Sequence, residues 1–335
     1  MIICKTPFRI SFFGGGTDFP SWYKKKEGFV ICSAINKYCY VLLRTLPPYF
    51  PFKYRLRYYK TELAKNLNQI KHSSIREALR KYNRKKELGL EITHFADLPA
   101  QAGLGASSSF TASMINSIHY YNNIILKKDQ LAKKTIYIEQ DLLKESIGSQ
   151  DQIIASYGGF NTIKFNKNII VNKLLISEIK KKELEKHCVL FFSGLSRQAN
   201  KIEKDKIKKI NLNHEYYQEI FEIAKEAEKI FLSKSGNFIK DIAKLMNESW
   251  VLKRKLSKKV TNSYLDQIYS LALANGALGG KLLGAGGGGF FLFLVENQKQ
   301  KEKLIRNLKK LTYVNFNFTE NGSKIIYNTK DYYDL

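Results

Sequence analysis

The stretch LPAQAGLGASSSF, residues 98–110, decides how the rest of the chain is read. Leu98 and Pro99 end an apolar run (Leu90, Ile92, Phe95) that predicts a strand, and Gly103 and Gly105 allow backbone angles that a Cβ forbids. Ala106, Ser107, Ser108 and Ser109 then offer small, cap-competent residues ahead of an apolar helical face, Phe110, Met114, Ile115 and Ile118. A strand, a glycine turn and a helix start in that order point free backbone N–H groups and the positive end of a helix dipole at one spot. An anion fits there without any cationic side chain, and a phosphate is the economical choice. The three hydroxyls add hydrogen-bond donors or an oxygen ligand for magnesium.

Working outward, residues 1–13 are β-rich and run into Gly14, Gly15, Gly16, Thr17 and Asp18, a turn that presents a carboxylate. Residues 29–46 predict one or two strands, 52–60 another, 74–84 a polar helix and 129–145 a helix ending near Gly148. The segment GSQDQIIASYGGF, 148–160, then places Asp151 beyond that helix end and beside Ile153 and Ile154, a candidate buried acid. After about residue 160 short strands give way to three long helical stretches between 200 and 275, then to strand, glycine turn and strand over 278–295, a helix over 299–311 and strands near 312–318 and 323–328. We expect two parts, 1–175 and 176–335, with a helix layer on a sheet in the second.

With 335 residues, 44% hydrophobic, the chain can bury a sizeable core, and its longest apolar runs, such as FFLFLV at 290–295, fall far short of a membrane span. Lys5 and Arg9 interrupt what a signal peptide would keep apolar, and four cysteines without a C-x-x-C pair argue for reduced thiols and against structural zinc. We therefore expect a cytoplasmic protein with no membrane association. The net charge of +26 raises nucleic acid as a partner, but the lysines are spread along helical faces, as in Lys204 to Lys209 and Lys253 to Lys259, so solvated faces explain it and nucleic acid is not expected. A positive field still gathers small anions, and a homodimer stays open.

Gly284, Gly286 and Gly289 satisfy G-x-G-x-x-G, yet Gly289 runs straight into a strand where a dinucleotide fingerprint must open a helix. No P-loop sequence is present either. Four consecutive glycines, 286–289, instead require close approach to another backbone or to a ligand.

Three motifs in order resemble the GHMP small-molecule kinases, a family that includes galactokinase, homoserine kinase and mevalonate kinase. They are Pro7, Phe8, Arg9 with Gly14 to Asp18; Pro99 to Ser108 in the pattern P-x-x-x-G-L-G-small-S-S; and Lys281 to Gly289. The resemblance implies a two-lobed α+β fold, its N-terminal part like the second domain of a small-subunit ribosomal protein and its C-terminal part ferredoxin-like. It implies an ATP-dependent phosphotransferase using ATP and Mg²⁺, with the nucleotide held by Pro99, Gly103, Leu104, Gly105, Ala106, Ser107, Ser108 and Ser109.

By the same resemblance Asp151, in GSQDQ, takes the position of the catalytic aspartate and Arg9 that of its basic partner. Glu139 precedes Asp151 by twelve residues, as the magnesium-binding acid does in galactokinase-like members, and Ser107 or only water completes the metal site. Asp18, with Gly16 and Thr17, would meet sugar hydroxyls; Gly286 and Gly287 join them as substrate candidates. The turn GGGTDFP is similar to that of the sugar-1-kinases acting on D-glycero-D-manno-heptose 7-phosphate, which implies a sugar-phosphate substrate. Arg197 is the candidate for its extra phosphate. Alternatives are a kinase for fucose, galactose or an N-acetylhexosamine, and a non-catalytic sugar or nucleotide sensor on the same fold.

Overall fold

Twelve β-rich residues at the start form the strand around which the first sheet is laid. In the computed structural model, which describes residues 1–196, 199–233 and 236–329, β1 (Ile2–Phe13) pairs antiparallel with β2 (Gly28–Leu46). The expected one or two strands over 29–46 are a single strand of 19 residues, long enough to serve two partners in succession on its other edge. Its first half pairs with β6 (Phe160–Phe165), itself joined to β7 (Ile169–Lys173), and its second half with β5 (Gly89–Ala96). Beyond β5 lie β3 (Tyr54–Arg57), which runs parallel to it, and β4 (Thr61–Ala64).

A short helix α1 (Pro20–Tyr23) follows the first glycine turn, and α2 (Ser73–Tyr82) matches the expected polar helix. Helix α3 (Ala106–Tyr121) buries Phe110, Met114, Ile115 and Ile118 against the sheet, while its small residues permit close approach: Ser113 and Ser109 donate to the carbonyls of Cys4 and Pro7 on β1 at 3.3 and 2.8 Å.

The helix expected over 129–145 is shorter and of two kinds. An α-helix, α4 (Lys128–Ile136), widens into a π-helical turn over Tyr137–Leu142, the local widening that turns buried Glu139 inward. Besides α1, two further helices were hidden in the sequence. The eight residues of α5 (Gln150–Tyr157) sit between glycines and open on a polar turn, and α6 (Glu178–His187) buries little besides Leu184 and Lys181.

The second sheet is fully antiparallel, in the order β11 (Thr312–Val314), β8 (Cys188–Phe192), β10 (Phe290–Val295), β9 (Ala277–Leu282). Four helices rather than three precede β9: α7 (Ala199–Lys208), α8 (His214–Leu232), α9 (Phe238–Lys255) and α10 (Ser263–Ala274); α11 (Gln298–Asn307) follows β10. The division expected at 175/176 falls between β7 and α6, but the chain crosses back: β12 (Lys324–Asn328) pairs with β1 in the first sheet. The parts are also bolted by aromatic rings. Phe160 of β6 meets Phe12, Phe231 of α8 and Phe318 at centroid distances of 5.2, 5.3 and 5.3 Å, each such pair adding about 0.5–1.5 kcal/mol beyond its buried area. All four cysteines are buried free thiols, and no helix among the described residues is long and apolar enough to cross a membrane.

Candidate active site

The glycine loop between β5 and α3 folds as its sequence demands. Gly103 and Gly105 take φ of +80° and +77°, and Gly105 is the residue from which α3 starts. The first-turn amides of Ala106, Ser107 and Ser108 have no acceptor within the helix and form the anion-ready end. The loop is braced from behind: Leu104, buried, accepts the Arg9 amide at 3.0 Å, and Ala102 accepts the Phe290 amide at 3.2 Å. Pro99 stays exposed and does not line the cleft, and Ser109 is spent on the Pro7 carbonyl.

Beside this loop stands a two-pronged ion pair. Arg9 Nε and Nη2 donate to Asp151 Oδ1 and Oδ2, both at 2.7 Å, and Nη1 donates to the Gly103 carbonyl at 2.6 Å. Asp151 lies in the first turn of α5, where the helix dipole favours an anion. A Cβ on Gly105 would come within 3.4 Å of Asp151 Oδ2 and 3.2 Å of Arg9 Cγ, so the glycine loop and the acid share one small volume. The Arg9 side chain is 5% exposed and that of Asp151 25%, which leaves the carboxylate as the accessible member.

Both face a cleft of about 500 Å³ whose walls come from the two parts of the chain. Asp18 is held in its floor by the Gly16 amide at 2.8 Å and the Gln150 amide at 3.2 Å, and burial pushes its carboxyl up to about 6. Gly148 must lack a side chain, because its Cβ would lie 1.9 Å from Asp18 Oδ2. Thr17 braces the turn by donating to the Gly14 and Phe29 carbonyls, while Gly16 lines the cleft.

Two regions of this chain match family models, GHMP kinases N terminal domain over residues 68–159 and GHMP kinases C terminal over 224–314. A D-glycero-alpha-D-manno-heptose 7-phosphate kinase from Campylobacter jejuni is 34% identical over 337 residues, covering 96% of this chain and 97% of that protein. The chain belongs to the GHMP kinases. A mevalonate kinase from Methanocaldococcus jannaschii is 30% identical over 264 residues, 74% of this chain and 79% of the relative. The crystal structure of a D-glycero-D-manno-heptose 1-phosphate kinase from Bacteroides thetaiotaomicron shares the fold, with a TM-score of 0.80, 23% identity and coverage of 98% of this chain and 100% of that one.

As a GHMP kinase the chain is a phosphotransferase with the family's two-part α+β fold and its use of ATP. The residues around Glu139 also suit a hard cation. Its Oε2 accepts from Ser108 Oγ at 2.8 Å and Gln152 Nε2 at 2.7 Å, whereas Oε1 is buried and makes no well-formed hydrogen bond. A magnesium ion takes few protein oxygens and leaves the rest to water and phosphate. The serine in contact is Ser108, not Ser107: helix α3 begins at Ala106, so its turn points residue 108 inward and leaves residue 107 exposed at the cleft edge.

Burial, then the nearby Glu145 charge, push the Glu139 carboxyl up from 4.5 to about 7. A folded-state value above the unfolded one means that ionised Glu139 costs stability, not at all below pH ~4.5 and in full above pH ~7. Glu139→Gln should therefore melt higher than wild type at pH 8 in chelator, by up to about 3 kcal/mol, with the gain vanishing toward pH 4.5. Turnover of the variant should need at least ~10-fold more magnesium. Thermal melts and a magnesium titration check both, and an unchanged titration would remove Glu139 as a magnesium ligand.

Gly286 and Gly287 are not brought to the cleft. Gly287 N donates to the Val260 carbonyl at 2.7 Å and a Cβ on Gly286 would meet that oxygen at 2.7 Å, so this pair serves packing; Gly284 and Ala285 line the cleft instead. Arg197 lies outside the described residues. Unforeseen lining residues are Glu203, Lys206, Ser249 and Lys253, from helices whose repeated lysines gave no sign of which ones face inward.

Proposed function

We propose that this chain transfers the γ-phosphoryl group of ATP to the C1 hydroxyl of D-glycero-D-manno-heptose 7-phosphate, giving the 1,7-bisphosphate, a step toward GDP-heptose and a surface polysaccharide. Carrying the reading is the end-to-end likeness to the Campylobacter jejuni kinase, which has the same length within a few per cent. The site chemistry supports it.

Phosphoryl transfer needs little covalent help, so positioning and charge do most of the catalysis. Asp151 accepts the proton of the attacking hydroxyl, and Arg9 fixes its orientation with two parallel bonds while offering positive charge to the reacting oxygens. The amides of α3 hold the nucleotide phosphates beside them. Magnesium, held by Glu139 with Ser108, would neutralise phosphate charge there. Asp18 accepts from sugar hydroxyls, which also lowers the cost of its own buried charge.

The test is an ADP-release assay across phosphorylated and free sugars. The 7-phosphate should be used with a kcat/KM more than ~10-fold above that for free heptose, galactose or fucose, since one charge-assisted hydrogen bond to a dianion adds ~1.5 to 3 kcal/mol. Equal rates on free and phosphorylated sugars would defeat the substrate while leaving the kinase.

A further inference from the structure

Three lysines from three separate elements reach the cleft from the C-terminal part of the chain: Lys206 on α7, Lys253 on α9 and Lys281 on β9. Their residues are only 4, 9 and 4% exposed, an unusual depth for ammonium groups. Their partners do not use them up. Lys253 Nζ donates to the Leu282 and Gly284 carbonyls at 2.7 and 2.6 Å, Lys281 Nζ to the Phe12 carbonyl at 2.8 Å, and Lys206 Nζ pairs with Glu203 Oε2 at 3.1 Å. Each ammonium has three N–H donors, so among the described residues one remains on Lys253 and two on Lys281, while Lys206 meets Glu203 as an ion pair. Among the described residues Glu203 is the acid near this group, in contact with Lys206 and acting on Lys253 through its charge; carbonyl dipoles hold Lys253 and Lys281, and Arg9 is already committed to Asp151.

Three buried amines that share one carboxylate are costly to keep charged, and such a cluster on a cleft wall is what an incoming anion requires. We propose that Lys206, Lys253 and Lys281 form the subsite for the phosphate monoester that the substrate keeps, the group that is not transferred. This rests on the reading of the substrate as a phosphorylated sugar. The γ-phosphate of ATP has the same chemistry, but the α3 amides and the Glu139–Ser108 pair already provide for the nucleotide. Crowding agrees: burial, then the charges of Arg9 and Lys206, lower Lys281 to about 7, and Lys253 is also lowered, a strain that a dianion between them would relieve.

The experiment uses the full chain, wild type and Lys206→Gln, with Lys281→Met as a second variant. Lys253 is left intact because it holds the glycine turn. Binding of inorganic phosphate without ATP is measured by calorimetry, and kcat/KM is measured for heptose 7-phosphate and free heptose. Each variant should weaken phosphate binding by at least ~10-fold and cut the preference for the phosphorylated sugar by a similar factor, with the KM for ATP changed far less. Equal losses on both sugars, or a rise confined to the ATP KM, would overturn the subsite. If wild type shows no preference among these sugars yet phosphate binding still depends on Lys206, the subsite stands for another phosphorylated acceptor and the heptose falls. A wild-type preference untouched by either variant removes the subsite and keeps the substrate.

Discussion

Asp151→Asn should lower kcat by at least ~100-fold while ATP binding changes little. Losing a positioned proton acceptor costs 10²–10⁴ in rate. The amide also turns one of the two oxygens facing Arg9 into an NH₂ group, so one of the 2.7 Å bonds becomes a donor-donor contact. Arg9, buried, then loses its countercharge and half its orientation, and the oxygens it would stabilise lose their guide. Single-turnover kinetics with a fluorescent nucleotide displacement assay separate the two effects. Near-normal turnover would remove Asp151 from the chemistry; a matching loss of ATP affinity would make the pair structural.

Gly284→Ala should cost about 3 kcal/mol, a fall in Tm of roughly 5 °C, and should raise the KM for ATP by at least ~10-fold. Two causes add. The residue sits at φ +69°, where a Cβ costs ~1–2 kcal/mol, and that Cβ would lie 2.4 Å from Gly103 Cα and 2.9 Å from Gly103 O, all backbone atoms that cannot rotate away. Moving them drags the 98–110 loop from its place beside Asp151, where the proposed function seats the nucleotide phosphates. Gly194→Ala is the control, because it has φ +78° and nothing within 4 Å: strain without displacement, a smaller loss of stability and an unaltered ATP KM. If both variants raise the ATP KM alike, the contact between the glycine turns does not position the nucleotide loop.

Much of the site was legible because its chemistry is local. The 98–110 loop and the Gly14–Asp18 turn each carry their geometry within a few residues, and the glycines at 286, 288 and 289 do approach other backbone, that of Val260, Leu195 and Ala102. What was not legible depends on helical phase or on distant pairing. Ser107 and Ser108 differ by one position, and only the start of α3 at Ala106 decides which meets Glu139. Helix α5 was masked by glycines at both ends and a polar first turn. Lys206 and Lys253 are chemically like their exposed neighbours in lysine-rich helices and are distinguished only by packing. The return of β12 to β1 joins residues more than 300 positions apart, beyond any local pattern.

The central claim is transfer to the anomeric oxygen of a sugar phosphate, and phosphorus NMR of the product reads it directly. Heptose 7-phosphate, ATP and magnesium with the full chain should yield ADP and a bisphosphate whose new phosphorus couples to the anomeric proton, with the 7-phosphate signal retained. A new phosphorus coupled to any other sugar proton, or ADP formed with no phosphorylated product, would contradict the account.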